Sequence, residues 1–136
     1  MFHKFTESAR KVVAGAQDET RKLGHQRIGN EHLFLAALSQ YELGIDIDEA
    51  RQVVQRLVPA DQEPGQGHVP FSTEAKGVLE QGLYEATGTG HKLISGGHLL
   101  LATIADPGTV ASRALGELNV PVADFRDRVI ATTLGD

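Results

Sequence analysis

Histidine is the residue type of this chain with the most versatile chemistry, and four of the six histidines form two pairs with one spacing. His25 and His32 lie seven positions apart, and so do His91 and His98. Zinc requires three or four ligands, and a His-x6-His pair across a loop is not a known zinc spacing. In each pair the first histidine follows a glycine that suits a helix end, and the second begins an apolar run. We therefore expect the histidines to tie a loop to a backbone carbonyl or a helix end, and we expect no metal site.

Other catalytic chemistry has little support in the sequence. There is no cysteine, which excludes disulfides, thiol nucleophiles and cysteine-ligated metals. There is no GxSxG motif and no GxxxxGK[ST] phosphate loop, so neither a serine nucleophile nor nucleotide hydrolysis is indicated. The chain is predicted not to be an enzyme, with no catalytic residues and no cofactor. A small metal-dependent hydrolase that uses the histidine pairs is the remote alternative.

Charge and hydropathy restrict the class of partner. The net charge is −5, and it divides into +3 over residues 1–30 and −8 over residues 31–136. An acidic body argues against nucleic-acid binding, which uses clustered lysine and arginine. No apolar run reaches the length of a membrane span, and no signal peptide follows Met1. We expect a cytoplasmic protein that binds neither nucleic acid nor membrane.

The sequence segments that position these residues occur in two copies. Residues 5–39 recur at 71–105, with eleven identities in 35 positions and no gap. Such self-similarity is typical of a tandem structural repeat. In the first copy, Thr6 is a candidate N-cap of a helix that ends at Gly24, and Asn30 is a candidate N-cap of a buried helix reaching Leu38.

Beyond Leu38 the offset between the copies grows from 66 to 75 positions, so the second copy holds nine extra residues, at 109–117. The sequence predicts an all-α fold of two pseudo-symmetric repeats with about three and four helices. Repeat 1 is predicted at residues 1–58 and repeat 2 at 71–136. The Pro- and Gly-rich residues 59–70 are predicted to be a flexible linker.

The first helices of the two repeats are predicted to border one groove suited to an extended peptide. Aromatic residues at the helix starts and exposed positions of both helices would line it, although Phe5 and Phe71 are also explained as core residues at helix starts. The groove residues are Phe2, Arg10, Val13, Ala14, Gln17, Phe71, Lys76, Leu79 and Glu80.

Two stretches, MFHKFTESARKVVAGAQ and LGHQRIGNEHLFL, resemble the N-terminal domain of Clp-type AAA+ unfoldases. The second copy, from Val69 to Leu101, also resembles it, and the double repeat is most similar to that of ClpC. The resemblance implies an α-helical domain without catalytic chemistry. It also implies that the domain recognises protein substrates and adaptor proteins for unfolding and degradation by other components of the Clp system.

The resemblance also implies sites. ClpC-like members recognise phosphorylated arginine, with a glutamate for the guanidinium and helix-terminal amides for the phosphate. In repeat 1 the matching residues are Gly29, Asn30 (where the family prefers threonine), Glu31 and His32. In repeat 2 the acid is replaced by Gly97, so at most one phosphoarginine pocket is expected. The resemblance further implies that cyclic-peptide antibiotics bind the groove.

The partners expected from this resemblance are substrates, adaptors, cyclic peptides and a ClpC-type ATPase. A regulator that docks on a full-length Clp ATPase and modulates its activity is the alternative function. The helix missing from repeat 1 and the acid missing from repeat 2 depart from the usual unfoldase domain. Since no ATPase module follows repeat 2 in the sequence, either a stand-alone protein or an excised domain is expected, and the two departures favour the former.

Overall fold

Three α-helices precede the linker and four follow it. The computed structural model describes residues 2–134, apart from the side chain of Phe2. A 3-10 turn, Phe2–Lys4, precedes the first helix, and a π-helical turn, Ile130–Leu134, follows the last. The predicted all-α class with three and four helices is confirmed. The helices are α1 (Glu7–Lys22), α2 (Asn30–Leu38), α3 (Ile47–Leu57), α4 (Thr73–Gly88), α5 (Gly96–Thr103), α6 (Val110–Glu117) and α7 (Val122–Val129).

Helices α1 and α4 begin and end in the same way. The Thr6 hydroxyl accepts a hydrogen bond from the Ala9 N–H at the start of α1, and a serine does the same in α4. Gly24 follows α1 with φ +73°, and the His25 N–H then bonds back to the Thr20 carbonyl. A left-handed glycine with this back-bond terminates a helix and satisfies an otherwise free carbonyl. Gly90 repeats the arrangement after α4, with φ +78°.

Helices α2 and α5 form the centre of the domain, where they pack against each other and each contacts both α1 and α4. Every residue of both helices is buried. The apolar runs at 33–38 and 99–102 therefore have core on all sides, as their lack of amphipathic periodicity predicts. Each fully buried leucine contributes about 2 kcal/mol of hydrophobic stabilisation.

The two repeats interlock through equivalent backbone pairs. The Thr6 N–H donates to the Ile94 carbonyl at 2.9 Å, and the Ile94 N–H donates to the Lys4 carbonyl at 2.8 Å. At the positions 66 residues away, the Ser72 N–H donates to the Ile28 carbonyl, and the Ile28 N–H donates to the Pro70 carbonyl, both at 2.8 Å. Each repeat thus pairs the segment before its first helix with the interhelical loop of the other. This reciprocity is what a pseudo-twofold relation between duplicated units requires.

Two ion pairs show which of the helices after α2 and α5 correspond between the repeats. Arg51 of α3 donates to both oxygens of Glu19, at 2.8 and 2.9 Å. Arg126 of α7 donates to Glu85 at 2.6 Å. Glu19 and Glu85 lie 66 positions apart, whereas the arginines lie 75 apart. Helix α3 therefore corresponds to α7, and α6 is the helix without a counterpart in repeat 1.

The segment between α3 and α4, residues 59–70 (the linker), lies along the end of α1 and the α1–α2 loop. The Asp61 N–H donates to the Gly24 carbonyl at 2.9 Å, and the Gly65 N–H donates to the His25 carbonyl at 3.3 Å. The Asp61 carboxylate in turn accepts from the Gln26 N–H at 2.8 Å. These bonds place the linker beside the first turn of α2.

Candidate functional site

The first turn of α2 lies at a corner formed by α1, the linker and the start of α4. Gly29 is the N-cap of α2, and the side chains of Glu31 and His32 are buried in its first turn. A cavity of about 190 Å³ opens beside them. It is lined by His25, Gln26, Arg27, Gly29, Glu31, His32, Val58, Asp61, Ser72 and Glu74.

A chain of hydrogen bonds holds His25 and His32 in defined tautomers. The Gly29 N–H donates to His32 Nδ1 at 2.8 Å, so the neutral His32 ring carries its proton on Nε2. His32 Nε2 lies 2.8 Å from His25 Nδ1 and donates to it. His25 Nε2 then donates to the carbonyls of Val58 and Pro59, at 3.0 and 3.1 Å. The predicted structural role of these histidines is confirmed, because the relay ties the loop to the end of α3.

The pKa of His32 is lowered to about 3, mainly by burial and also by the neighbouring His25, while Asp61 opposes the shift. The cause is desolvation, which disfavours the charged imidazolium. His32 therefore remains a neutral hydrogen-bonding group at physiological pH.

The same corner brings three groups of metal-ligand type together, since atoms of His25, Glu31 and His32 lie within 4.8 Å of one another. The hydrogen bonds oppose coordination. The Gly29 N–H occupies Nδ1 of His32, so a metal at Nε2 would have to displace the only ring proton and leave an imidazolate. Zinc-bound histidines instead donate their second ring N–H to a carbonyl or carboxylate. The geometry therefore gives the metal-dependent alternative no support.

Glu31 differs from the other buried glutamates in its partners. Burial raises the pKa of Glu31, and Glu74 raises it further, while its own backbone N–H and His25 lower it. Glu19 and Glu85 are also buried, but each forms an ion pair with an arginine. Among the described residues no lysine or arginine pairs with Glu31. It is a buried carboxyl group that faces the cavity without an ion-pair partner, although Arg27 lies elsewhere on the cavity wall.

Asn30 does not share this cavity with the other three predicted phosphoarginine residues. Its amide donates to the Thr103 carbonyl and accepts from the Ala111 N–H, both at 2.9 Å. The prediction that Asn30 caps α2 is wrong: Gly29 is the cap, and the Asn30 side chain instead joins α2 to the α5–α6 junction. It lines a separate cavity of about 430 Å³ with Glu74 and Asp106.

In repeat 2 the equivalent corner, at the first turn of α5, is closed. The Thr89 hydroxyl lies between the two histidines, 2.8 Å from His91 Nδ1 and 2.9 Å from His98 Nε2. The position that a Cβ of Gly97 would take is already occupied by Thr133 and Leu134 of the C-terminal turn. Repeat 2 therefore has no room for a side chain at the position equivalent to Glu31.

The predicted groove residues are distributed over several environments. Arg10, Ala14, Lys76 and Glu80 are exposed, Val13, Gln17 and Phe71 are half-buried, and Leu79 is buried. The side chain of Phe2 lies outside the described part of the chain. Gln17 hydrogen-bonds His68 of the linker at 2.8 Å, and Phe71 pairs with Ile28.

Leu79 and Glu80 of the predicted groove line a common cavity, which measures about 350 Å³ and is also lined by His3, Lys4, Leu83, Tyr84 and Ile94. The sequence reasoning did not single out Leu83 or Tyr84. The repeat alignment could have found them, because they stand where repeat 1 has Gln17 and Asp18.

Comparison with known proteins identifies the family. Residues 4–118 match the model of the Clp repeat (R) N-terminal domain. The chain belongs to the Clp N-terminal domain family. It is 34% identical over 139 residues to the chloroplastic chaperone protein ClpC1 of Arabidopsis thaliana, covering 96% of this chain and 15% of that protein. It is also 34% identical over 139 residues to the chaperone protein ClpB of Oceanobacillus iheyensis, covering 96% of this chain and 17% of that one.

Two solved structures of chaperone N-terminal domains share the fold. The N-terminal domain of ClpD from Arabidopsis thaliana superimposes with a TM-score of 0.83 at 24% identity, covering 96% of this chain and 95% of that one. The Hsp104 N-terminal domain from Candida albicans superimposes with a TM-score of 0.71 at 17% identity, covering 93% and 89%. No helix between residues 2 and 134 combines the length and hydrophobicity that a membrane-spanning segment requires. The chain is thus a Clp-N domain that spans less than a fifth of the two relatives compared by sequence.

Proposed function

We propose that this Clp-N domain is a non-catalytic binding module for polypeptides, and that its Glu31 pocket takes the side chain of an arginine in a substrate or adaptor protein. One observation carries the proposal. Of the three buried glutamates in the described chain, two are neutralised by arginines of the domain itself, and Glu31 is not. A guanidinium group from another polypeptide would supply the missing cation with a planar pair of donors that matches a carboxylate.

The surroundings of Glu31 favour a cationic group. Asp61 and Glu74 also line the cavity, so three carboxylates face it and only Arg27 is basic. A guanidinium bound there would satisfy the buried charge, whose burial otherwise costs free energy. Phosphoarginine is the finer form of this proposal, because relatives of the ClpC type are expected to read it. Its phosphate would depend on Arg27 and on the first N–H groups of α2.

Isothermal titration calorimetry with arginine, phosphoarginine and phosphoserine tests the pocket. We expect both arginine compounds to bind the wild type, and Glu31→Gln to abolish their binding while leaving the domain folded. Glu117→Gln, which changes an exposed acid at the end of α6, is the matched control and should bind as the wild type does. Equal binding by Glu31→Gln, or tight binding of phosphoserine, would contradict the proposal.

A second binding surface is proposed at the predicted groove, for extended peptides and cyclic-peptide antibiotics. Its support is the repeat alignment, in which Arg10 corresponds to Lys76 and Val13 to Leu79. Equivalent positions of two units related by a pseudo-twofold axis can line one surface across that axis. Titration of a fluorescent hydrophobic cyclic peptide should give weaker binding to an Arg10→Ala/Lys76→Ala double variant than to the wild type. Identical binding curves would remove the groove, while the Glu31 pocket would stand.

A further inference from the structure

A second cavity lies beside the Glu31 pocket, and the two cavities share part of their lining. Glu74, in the first turn of α4, lines both of them. Asn30 and Glu31 are consecutive in α2, yet Asn30 lines the larger cavity, of about 430 Å³, and Glu31 lines the smaller one, of about 190 Å³. A polypeptide that places one side chain in the Glu31 pocket therefore has the larger cavity within reach of a nearby side chain.

The larger cavity, named the α4–α5 cavity, lies between one face of α4 and the end of α5, and its edge is acidic. Val78 and Ala102 are buried in its wall, whereas Glu74 and Asp106 are exposed. The Asp106 Oδ1 atom accepts the Gly108 N–H at 2.7 Å, which holds this carboxylate at the edge. Within the described chain, no lysine or arginine lines the cavity or forms an ion pair with either acid. A side chain with an apolar stem and a positive end fits such a lining.

Repeat 1 carries a cation of its own at one position of this lining. Gly77, which lines the α4–α5 cavity, corresponds to Lys11, and Lys11 forms an ion pair with Glu7 at 3.5 Å. Glu74 corresponds to the neutral Ser8. Repeat 2 therefore has an additional acid and lacks the lysine. A carbon atom added at Gly77 would meet nothing within 4 Å apart from adjoining residues and the helix backbone, so there is space for an ammonium group.

Neither described end of the chain lines the α4–α5 cavity. Lys4 lines the separate cavity beside Leu83. At the other end, Leu134 lies beside Gly97, in the first turn of α5, whereas the α4–α5 cavity adjoins the last turn of that helix. Its lining comes from α2, α4 and the α5–α6 junction, and the linker contributes nothing to it. The described chain thus supplies no group that fills the cavity.

We propose that the two cavities form one site for a basic segment of another polypeptide, in which an arginine enters the Glu31 pocket and a lysine two residues away enters the α4–α5 cavity. The lysine stem packs on Val78 and Ala102, and its ammonium group pairs with Glu74 and Asp106. Side chains two residues apart lie on the same face of an extended chain, about 7 Å apart, so they can enter two cavities that share a wall. This inference rests on the proposed arginine pocket and names the class of segment that the pocket reads.

Three labelled peptides with one arginine each supply the probe, and fluorescence anisotropy measures their binding. We expect Lys-Ala-Arg-Ala-Lys to bind the wild type about tenfold more tightly, or by about 1.4 kcal/mol, than Ala-Ala-Arg-Ala-Ala. Lys on both sides makes the result independent of the direction in which the peptide lies. Ala-Lys-Arg-Lys-Ala has the same charge but directs its lysines away from the arginine face, so it should bind more weakly than Lys-Ala-Arg-Ala-Lys. Equal binding of the two charged peptides would overturn the proposal, because attraction to an acidic domain would then explain it.

Two substitutions test the lysine cavity directly. Asp106→Asn removes the charge but keeps an oxygen for the Gly108 N–H, and it should reduce the preference for Lys-Ala-Arg-Ala-Lys to below about threefold. Gly77→Lys places an ammonium group of the domain itself in the cavity and should abolish the preference. Asp124→Asn, which removes an exposed acid of α7, is the matched control and should keep the full preference. An unchanged preference in Asp106→Asn and Gly77→Lys would overturn the proposal.

Glu31→Gln separates failure of this inference from failure of the arginine pocket. It should weaken the binding of all three peptides, whereas Asp106→Asn should leave the binding of Ala-Ala-Arg-Ala-Ala unchanged. If Ala-Ala-Arg-Ala-Ala binds in a Glu31-dependent way and the added lysines have no effect, the arginine pocket stands and the lysine cavity is wrong. If no peptide binds, or if Glu31→Gln binds all three as the wild type does, both proposals are overturned.

Discussion

Acidification from pH 7 to pH 5 should destabilise the domain, because two buried histidines remain neutral while it is folded. Burial is the main cause that lowers the pKa of His32 to about 3 and that of His98 to about 4. In the unfolded chain both rings titrate near a pKa of about 6.5. Below that pH the unfolded state binds more protons, so the stabilisation present above pH 6.5 is lost as the pH falls toward the folded-state values.

The magnitude follows from proton linkage. Each histidine lowers the free energy of unfolding by about 1.4 kcal/mol per pH unit below its unfolded pKa. Between pH 7 and pH 5 this amounts to about 2 kcal/mol for each ring, or about 4 kcal/mol together. Such a loss is a large fraction of the roughly 5–15 kcal/mol by which domains are stable.

Urea unfolding at pH 7, 6 and 5 measures the effect, with His98→Asn as the diagnostic variant. The Asn amide oxygen can accept the Ser95 N–H bond that His98 Nδ1 accepts at 3.0 Å, so the cap of α5 is retained without a titrating ring. We expect the variant to lose about 2 kcal/mol less than the wild type over this range. The same pH dependence in both proteins would refute the reasoning, as would NMR titration of the folded His98 ring near pH 6.5.

Three further predictions concern buried charges and close packing. Glu31→Gln should raise the Tm at pH 7, because burial raises the pKa of Glu31 and the charged form destabilises the fold; an unchanged or lower Tm would count against this. Arg51→Met leaves the carboxylate of Glu19 buried without its partner. It should lower the free energy of unfolding, measured with urea, by about 3 kcal/mol. A loss below about 1 kcal/mol would show that the pair is dispensable. Gly97→Ala places a methyl group where the C-terminal turn lies. It should lower the free energy of unfolding, measured with urea, by about 1–3 kcal/mol. Gly77→Ala is its control in α4, where nothing apart from adjoining residues and the helix backbone lies within 4 Å of the added carbon. It should raise the free energy of unfolding by about 0.5–1 kcal/mol.

The sequence predicted the architecture because the duplication left matched residues at two offsets. The offset of 66 defines the first two helices of each repeat, and the offset of 75 correctly pairs α3 with α7. The ion pairs were not predicted. Glu19 and Glu85 are visible as identities, but their arginines lie on the helices where the two copies diverge.

Tertiary contacts explain where the local reasoning failed. Asparagine is a good N-cap by propensity, yet Asn30 lies one residue inside α2. Its amide bridges Thr103 and Ala111, which are 73 and 81 residues away in sequence. Local preference cannot anticipate partners at that distance. Gly29 can serve as the cap because His32 accepts its N–H, which is a role that only the folded corner reveals.

The two repeats differ in which part of their surface is covered. In both repeats, the segment that covers it follows the last helix of the repeat. After α3, the linker covers the α1 face of repeat 1. After α7, Thr133 and Leu134 fill the corner of repeat 2 beside Gly97. The cavity beside Glu31 therefore has no counterpart in repeat 2. The arginine pocket proposed for this domain would accordingly be single rather than paired.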